Sequence, residues 1–342
     1  MSSNYHIPTT GERSAPMQYL AWLGGLAASR GEQKQDPNAP FLSVLMRTQG
    51  KRDAMLREAL LSLEAQSDDD FEVIVVIHRA TEEAKSRTEQ LLQLLSPRMT
   101  ERLTYRFLDT GTRSSPLNLA LSLAKGHYIA MLDDDDVVFE DWVENFHKGA
   151  SLHDGMAIRC YGMTQFWTAT EADGKTLLRS TAAPDPTYCE PFDLQAHLID
   201  NHTPISCIAL PRACHALFGL EFDESLTTAE DWDFLMRCIL ICGVYDTKQI
   251  AFLYRLWQNA ESSHTVHREE EWLKNRDYIL KKLNSIPYIT TGAGRFPLTE
   301  EKDAAPVLKI TFLGKLKKLY RTHGPFRFPI VLIRKAFYRL LR

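Results

Sequence analysis

The stretch His127-Tyr128-Ile129-Ala130-Met131-Leu132-Asp133-Asp134-Asp135-Asp136 constrains this chain more than any other. Mostly apolar residues, preceded by Gly126, run straight into four consecutive carboxylates. The apolar part has the Ile, Tyr and Leu content of a buried strand. The acidic part repels itself, because neighbouring aspartates are ionised at neutral pH. A solvated acidic loop is the ordinary explanation for a charge run. Here the run sits on the end of a buried strand, and in open α/β sheets that end is where ligands bind. Carboxylate oxygens suit a hard divalent cation such as Mg²⁺ or Mn²⁺. The stretch therefore predicts a metal-centred site in preference to a solvated turn.

The residues on either side are patterned accordingly. Phe41–Met46 reads as a strand and Lys51–Gln66 as an amphipathic helix, with Met55, Leu56, Ala59, Leu60 and Leu63 on one face. Phe71–Ile77 is a continuous apolar run, as expected of a central parallel strand. A helix over Thr81–Leu95, a strand over Leu103–Leu108 and a helix over Pro116–Lys125 lead into the acidic strand. This alternation has the spacing of βαβ units and predicts a mainly parallel sheet with helices on both faces. Beyond Asp136 the expected order is a helix (141–150), then a hairpin (157–170 and 175–181) turning at Asp173-Gly174. A loop (182–191), a helix (192–201), a strand (205–210) and a helix (229–242) follow, then a strand (249–256) and a helix (268–283). Gly and Pro punctuate residues 1–40, which hold one short helix near 17–29, and again 286–305.

Composition adds three bounds. No apolar run reaches about 18 residues, so no transmembrane helix is expected, and the polar N-terminus lacks a signal-peptide pattern. Six cysteines form no CxxC pair, so they read as free thiols in a reducing, cytosolic compartment. Ten of the 40 Lys and Arg residues fall in 307–342, which has no Asp or Glu. The body is acidic and the tail basic, and nucleic-acid binding is not expected because the tail carries no recognised motif.

Five phrases, in order, resemble the family 2 glycosyltransferases, which have the GT-A fold. They are Ser43 to Arg52 with Thr48 at its centre, Ser62-Leu63-Glu64-Ala65-Gln66, Arg113 to Asn118, Gly126 to Asp136, and Phe222-Asp223-Glu224-Ser225-Leu226 followed by Glu230-Asp231. The resemblance covers about residues 41–260. It implies a metal-dependent, inverting transfer of a sugar from a nucleoside-diphosphate sugar to an acceptor hydroxyl. The implied fold is α/β, of GT-A Rossmann-like type, with a basic helical C-terminal extension. The implied plan is an extension (1–40), a GT-A domain (41–285; donor half about 41–136, acceptor half about 137–285), a linker (286–306) and a basic amphipathic tail (307–342).

By the same resemblance Asp133 and Asp135 form the DxD pair that holds Mn²⁺ or Mg²⁺. Asp134, or Asp133, faces the ribose, and Asp136 is left to cap the following helix. Asp231 is the base that takes the proton from the acceptor hydroxyl. Its other reading is helix capping, shared with Glu230 and Asp233. Thr48 falls at the nucleotide contact, and Arg113 and Asn118 near phosphate or sugar. Arg255 falls where relatives close over the diphosphate, though it also reads as a solvated strand-end charge. Trp232 and Trp257 are candidates for sugar stacking or for the core. One departure stands out: where the family carries acids after its second strand, this chain has Ile77-His78-Arg79-Ala80. His78 would replace the base-reading acid in part, and Arg79 would reach phosphate. UDP is the default donor nucleotide, with GDP or dTDP open.

The implied acceptor is a glycan or a lipid-linked glycan, as in bacterial surface polysaccharide or glycoconjugate synthesis. The tail, 307–342, would then lie on an anionic membrane surface, placing the protein in the cytoplasm or peripherally on the inner face of the plasma membrane. Docking of the tail on the acidic body, or an oligomer contact, is the other reading. Two further classes fit parts of the chain. One is a degenerate nucleotide-sugar-binding protein. The other is a nucleotidyltransferase-like enzyme, for which Thr48-Gln49-Gly50-Lys51 is a poor phosphate loop.

Overall fold

In the computed structural model, residues 38–258 and 268–285 are described, all within one unit spanning Met1–Tyr288. The predicted helix near 17–29, the linker at 286–306 and the basic tail at 307–342 lie outside the described residues.

The first half follows the predicted alternation. Strand β1 (Leu42–Thr48) leads to helix α1 (Asp53–Glu64), β2 (Phe71–His78) and α2 (Glu82–Gln93). Next come α3 (Pro97–Arg102), β3 (Leu103–Leu108), α4 (Ser115–Leu123) and β4 (Tyr128–Met131). Strands β1 and β2 pair in parallel, as do β2 and β3. β4 pairs in parallel with the other side of β1, Leu42 to Leu45 facing Tyr128 to Met131. The chain thus adds strands on one side of β1 and then switches to the other. That reversal opens a crevice at the carboxyl ends of β1 and β4. Apolar side chains hold the layers: Met55, Leu56, Ala59, Leu60 and Leu63 of α1 are buried, as is every residue of β2 except Glu72.

Gly126 lets β4 start beside β1. A Cβ there would lie 2.6 Å from the Ser43 nitrogen and 2.8 Å from the Leu42 carbonyl carbon, while the Gly126 N–H donates to Ser43 Oγ at 2.8 Å.

The second half is mixed. It contains β5 (Val137–Val138), α5 (Trp142–Leu152), β6 (Ala157–Ala172), β7 (Lys175–Ser180) and β8 (Asp185–Tyr188). Then follow α6 (Leu194–His197), β9 (Ile208–Pro211), α7 (Ala213–Ala216), α8 (Glu230–Cys242), β10 (Val244–Trp257) and α9 (Glu269–Asn284). The strand order is β3-β2-β1-β4-β9-β6-β10-β5, with β7 and β8 both pairing β6. β9 is antiparallel to β4 and to β6, which joins the two halves into one sheet.

The hairpin turns where predicted, with Asp173 and Gly174 at φ 51° and 70°, the signs its tight turn requires. The proline-rich stretch expected to be loop is partly strand β8, because Pro186 sits on an outer strand where a missing N–H is tolerated. The helix expected over 192–201 shortens to α6, and 205–207 forms a 3₁₀ turn before β9. All six cysteines are free, and Cys160, Cys207, Cys214 and Cys238 are buried.

Candidate active site

β1 and β4 deliver their ends to one place. Thr48, the last residue of β1, is buried, and its hydroxyl donates to Asp134 Oδ2 at 2.5 Å. Arg52, just ahead of α1, forks across two carboxylates. One Nη donates to Asp135 Oδ2 at 2.5 Å and the other contacts Asp134 Oδ1. Asp136 is buried and accepts the backbone N–H of Arg255 at 2.7 Å. It does not cap the next helix; α5 starts six residues later, with Asp141 at its N-cap position. Asp133 keeps a side chain 41% exposed, 3.8 Å from Arg47 Nε. Burial, the largest influence, raises the carboxyls of Asp134, Asp135 and Asp136, and Arg52 pulls the first two back.

The second acidic group opens α8. Ala229 precedes it in the left-handed region, φ 58°, and offers no side-chain cap. The three acids of the first turn have separate fates. Glu230 is buried, and its Oε1 meets Arg47 and Arg113, each at 2.8 Å. Burial opposes its charge, yet the two arginines hold its carboxyl below the ordinary range. Asp233 is buried against Arg237 and Lys282, which stitches α8 to α9. Asp231 receives the Asn201 amide N–H at 3.3 Å and is pushed up to about 6, first by burial and then by the charge of Glu230.

These groups converge on a cavity of about 390 Å³. Arg47, Asp133 and Asp136 line it from the β1 and β4 ends, and Arg113, Glu230 and Asp231 from the side of α8. Glu269, Trp272, Leu273 and Arg276 of α9 complete the wall. Their spacing puts them on one helical stripe. Asn275, on the same helix, anchors it by donating to the hydroxyls of Thr227 (3.0 Å) and Thr228 (2.8 Å).

The residues singled out from the sequence divide into three groups. Asp133, Arg113 and Asp231 line the cavity. Thr48, Asp134 and Asp135 form the adjoining turn, tied together by hydrogen bonds and Arg52. His78, Arg79, Asn118 and Arg255 are not part of the cavity wall. His78 is buried at the end of β2 with Nε2 3.1 Å from the Thr110 carbonyl oxygen, and its basicity is lowered, chiefly by burial. Arg79 is exposed, at φ 52°. Asn118 bonds both backbone groups of Phe222, at 2.8 and 3.0 Å, and so pins α4 to the segment before α8. Arg255 is buried over Trp167, 4.6 Å from the ring centre, and paired with Glu58 at 2.6 Å. Trp232 and Trp257 are both buried; the Trp232 indole N–H donates to the His197 carbonyl.

Sequence reasoning gave no role to Arg47, next to last in β1, or to Arg52, in the basic loop that follows. It also missed Asn201, which no local pattern marks, and the cavity stripe of α9.

A divalent ion fits the chemistry of the acidic turn beside this cavity. Its carboxylates are oxygen donors, and Mg²⁺ is commonly held by one or two carboxylates with substrate phosphates completing the shell. Among the described residues no group of three or more His, Cys, Asp or Glu side chains is arranged to hold an ion unaided.

The sheet order, the switch beside β1 and the acidic turn at that switch place the fold in the GT-A class. TarS of S. aureus, residues 1–349 solved in complex with UDP-GlcNAc, shares it at a TM-score of 0.52 and 18% identity, covering 71% of each chain. Residues 43–160 match the family model described as Glycosyl transferase family 2. Over that stretch the chain is similar to the family 2 glycosyltransferases. An uncharacterized glycosyltransferase of Methanocaldococcus jannaschii is 24% identical over 200 residues, covering 58% of this chain and 65% of that protein. WcaA of Escherichia coli K12, proposed by its name to be a glycosyl transferase of colanic acid biosynthesis, is 30% identical over 109 residues. That match covers 32% of this chain and 36% of WcaA, so the chain spans less than two thirds of either relative.

Proposed function

We propose that this protein transfers a sugar from a nucleoside-diphosphate sugar to an acceptor hydroxyl, with inversion at the anomeric carbon. The observation that carries the reading is the meeting of Asp133 and Asp231, which follow different strands and lie far apart in the chain, on one cavity at the topological switch. Asp231, ionised at neutral pH, takes the proton from the acceptor hydroxyl. The acceptor oxygen then bonds to the anomeric carbon as the bond to the diphosphate breaks on the opposite face. Asn201 holds one oxygen of Asp231, and Arg47 and Arg113 place positive charge along the same wall. Asp133 and Asp135 would hold Mn²⁺ or Mg²⁺, which when bound neutralises charge on the departing diphosphate.

The UDP-GlcNAc bound by TarS supports a UDP-sugar donor. The acceptor reaches Asp231 along the α9 wall, whose Trp272 and Leu273 suit the apolar face of a sugar and whose Glu269 and Arg276 suit its hydroxyls. The name of WcaA supports a place in polysaccharide biosynthesis, and a glycan or lipid-linked glycan is the acceptor proposed. Among the described residues no helix is long and apolar enough to cross a membrane. The basic tail would bring the protein to an anionic membrane surface; equal flotation with liposomes of the full chain and of a chain ending at Ala305 refutes that role.

A panel of nucleotide sugars, incubated with and without Mn²⁺ or Mg²⁺, tests the central reading. We expect metal-dependent release of one nucleoside diphosphate. Absence of both release and nucleotide binding refutes it.

A further inference from the structure

The acidic turn already has a cation of the chain's own. Arg52 spans Asp134 and Asp135 with its two terminal nitrogens, a charge-assisted fork whose planar geometry fits two neighbouring carboxylates. Its position is set rather than loose. Gly50, at φ 64°, turns the chain after β1, and its N–H donates to Thr48 Oγ1, the same hydroxyl that donates to Asp134. Arg52 then sits at the N-cap position of α1, held by the helix that follows. Asp136 is engaged by the Arg255 N–H. Asp133 is therefore the carboxylate of the turn with the greatest exposure and the longest contact, 3.8 Å to Arg47.

A divalent ion entering this turn meets a guanidinium within hydrogen-bonding reach of two of the four carboxylates. Two cations in a partly buried pocket repel each other, and solvent screens them less than at a surface. A nucleoside diphosphate changes the balance, because its phosphates bring enough negative charge for both cations.

We propose that Arg52 is an internal counter-cation that competes with the divalent ion for the acidic turn, so that the ion binds well only together with a nucleoside diphosphate. The inference rests on the reading that Asp133 and Asp135 hold the ion and that the cavity takes a nucleoside diphosphate. It adds that loading is coupled and that one residue sets the coupling. By linkage, the diphosphate then binds more tightly with the ion by the same factor.

Calorimetric titration of the full chain with Mn²⁺, with and without saturating UDP, tests it on the wild type and on Arg52→Gln, Arg52→Ala and Arg52→Lys. In the wild type UDP should tighten Mn²⁺ binding by about tenfold or more, within the usual range of coupling between sites. Arg52→Gln and Arg52→Ala should each bind Mn²⁺ about tenfold more tightly than the wild type without UDP, and UDP should then add little. Arg52→Lys keeps the charge but loses the fork, and should fall between the wild type and Arg52→Gln. Affinities for Arg52→Gln within about twofold of the wild type, or the same UDP effect in both, overturn the proposal. A wild type whose Mn²⁺ affinity ignores UDP overturns it whatever the variants do, including a variant that fails to fold. Absence of Mn²⁺ binding in every protein, with UDP present, removes the metal reading itself and this inference with it. Equal Mn²⁺ binding in wild type and variants removes the inference alone.

Discussion

Lowering the pH from about 7 to about 5 should slow donor hydrolysis by about tenfold, because Asp231 must be ionised to act as base. Burial is the largest influence raising its carboxyl, and the charge of Glu230 beside it comes next. The N–H of Trp232 and the guanidinium of Arg113 pull the other way, and the balance stands at about 6. A group with that midpoint is about nine-tenths ionised at about pH 7 and about one-tenth at about pH 5. An aspartate at its ordinary value of 3.8 would stay more than about nine-tenths ionised throughout, and the rate would be nearly flat. The base works ionised, so the rate rises with pH. The assay is UDP release from UDP-GlcNAc under saturating Mn²⁺, with kcat followed across the range.

Asp135 is pushed up to about 7, chiefly by burial, and titrates nearby. Glu230→Gln separates the two. Glu230 raises Asp231, whereas Asp135 answers to burial and then to Arg52, Asp134 and Asp133. The variant should therefore move the midpoint down. A flat wild-type profile to about pH 5, or a midpoint indifferent to Glu230→Gln, refutes the assignment of Asp231 as the base.

Three further outcomes follow from the same contacts. Asp231→Asn should lower turnover by about 10²–10⁴-fold while UDP affinity, measured by calorimetry, stays near that of the wild type. Gly126→Ala should cost about 2–3 kcal/mol in urea denaturation, because its Cβ meets backbone of β1 that cannot give way. Asn118→Ala should cost about 1–3 kcal/mol by removing the bonds to Phe222, with the donor KM unchanged. A sharp rise in that KM would instead put Asn118 at the donor.

The first half was legible because its signals are local. Buried parallel strands are apolar throughout, as in Phe71–Ile77, and the amphipathic period of α1 named all five residues that it buries. The second half was harder. β8 hid behind prolines because an outer strand can do without their N–H, and α6 kept only part of its predicted helix. Asn118 and Arg255 have the residue types of ligand contacts, yet their partners are Phe222 and Glu58, which lie far away in the chain.

Residue order alone determined the acidic turn on a strand end, the parallel alternation before it and the Glu230-Asp231 pair, because period and charge run are properties of neighbours in sequence. Tertiary structure decided which carboxylate faces what. Glu230 and Asp231 are adjacent in the chain, yet Glu230 is spent on Arg47 and Arg113 while Asp231 is held by Asn201 at the cavity wall. Arg52 closes over the turn, and α9 supplies a wall more than a hundred residues from it. Charge pairing and cavity shape depend on distances in space, which the packing of the two halves of the sheet sets and no local pattern contains.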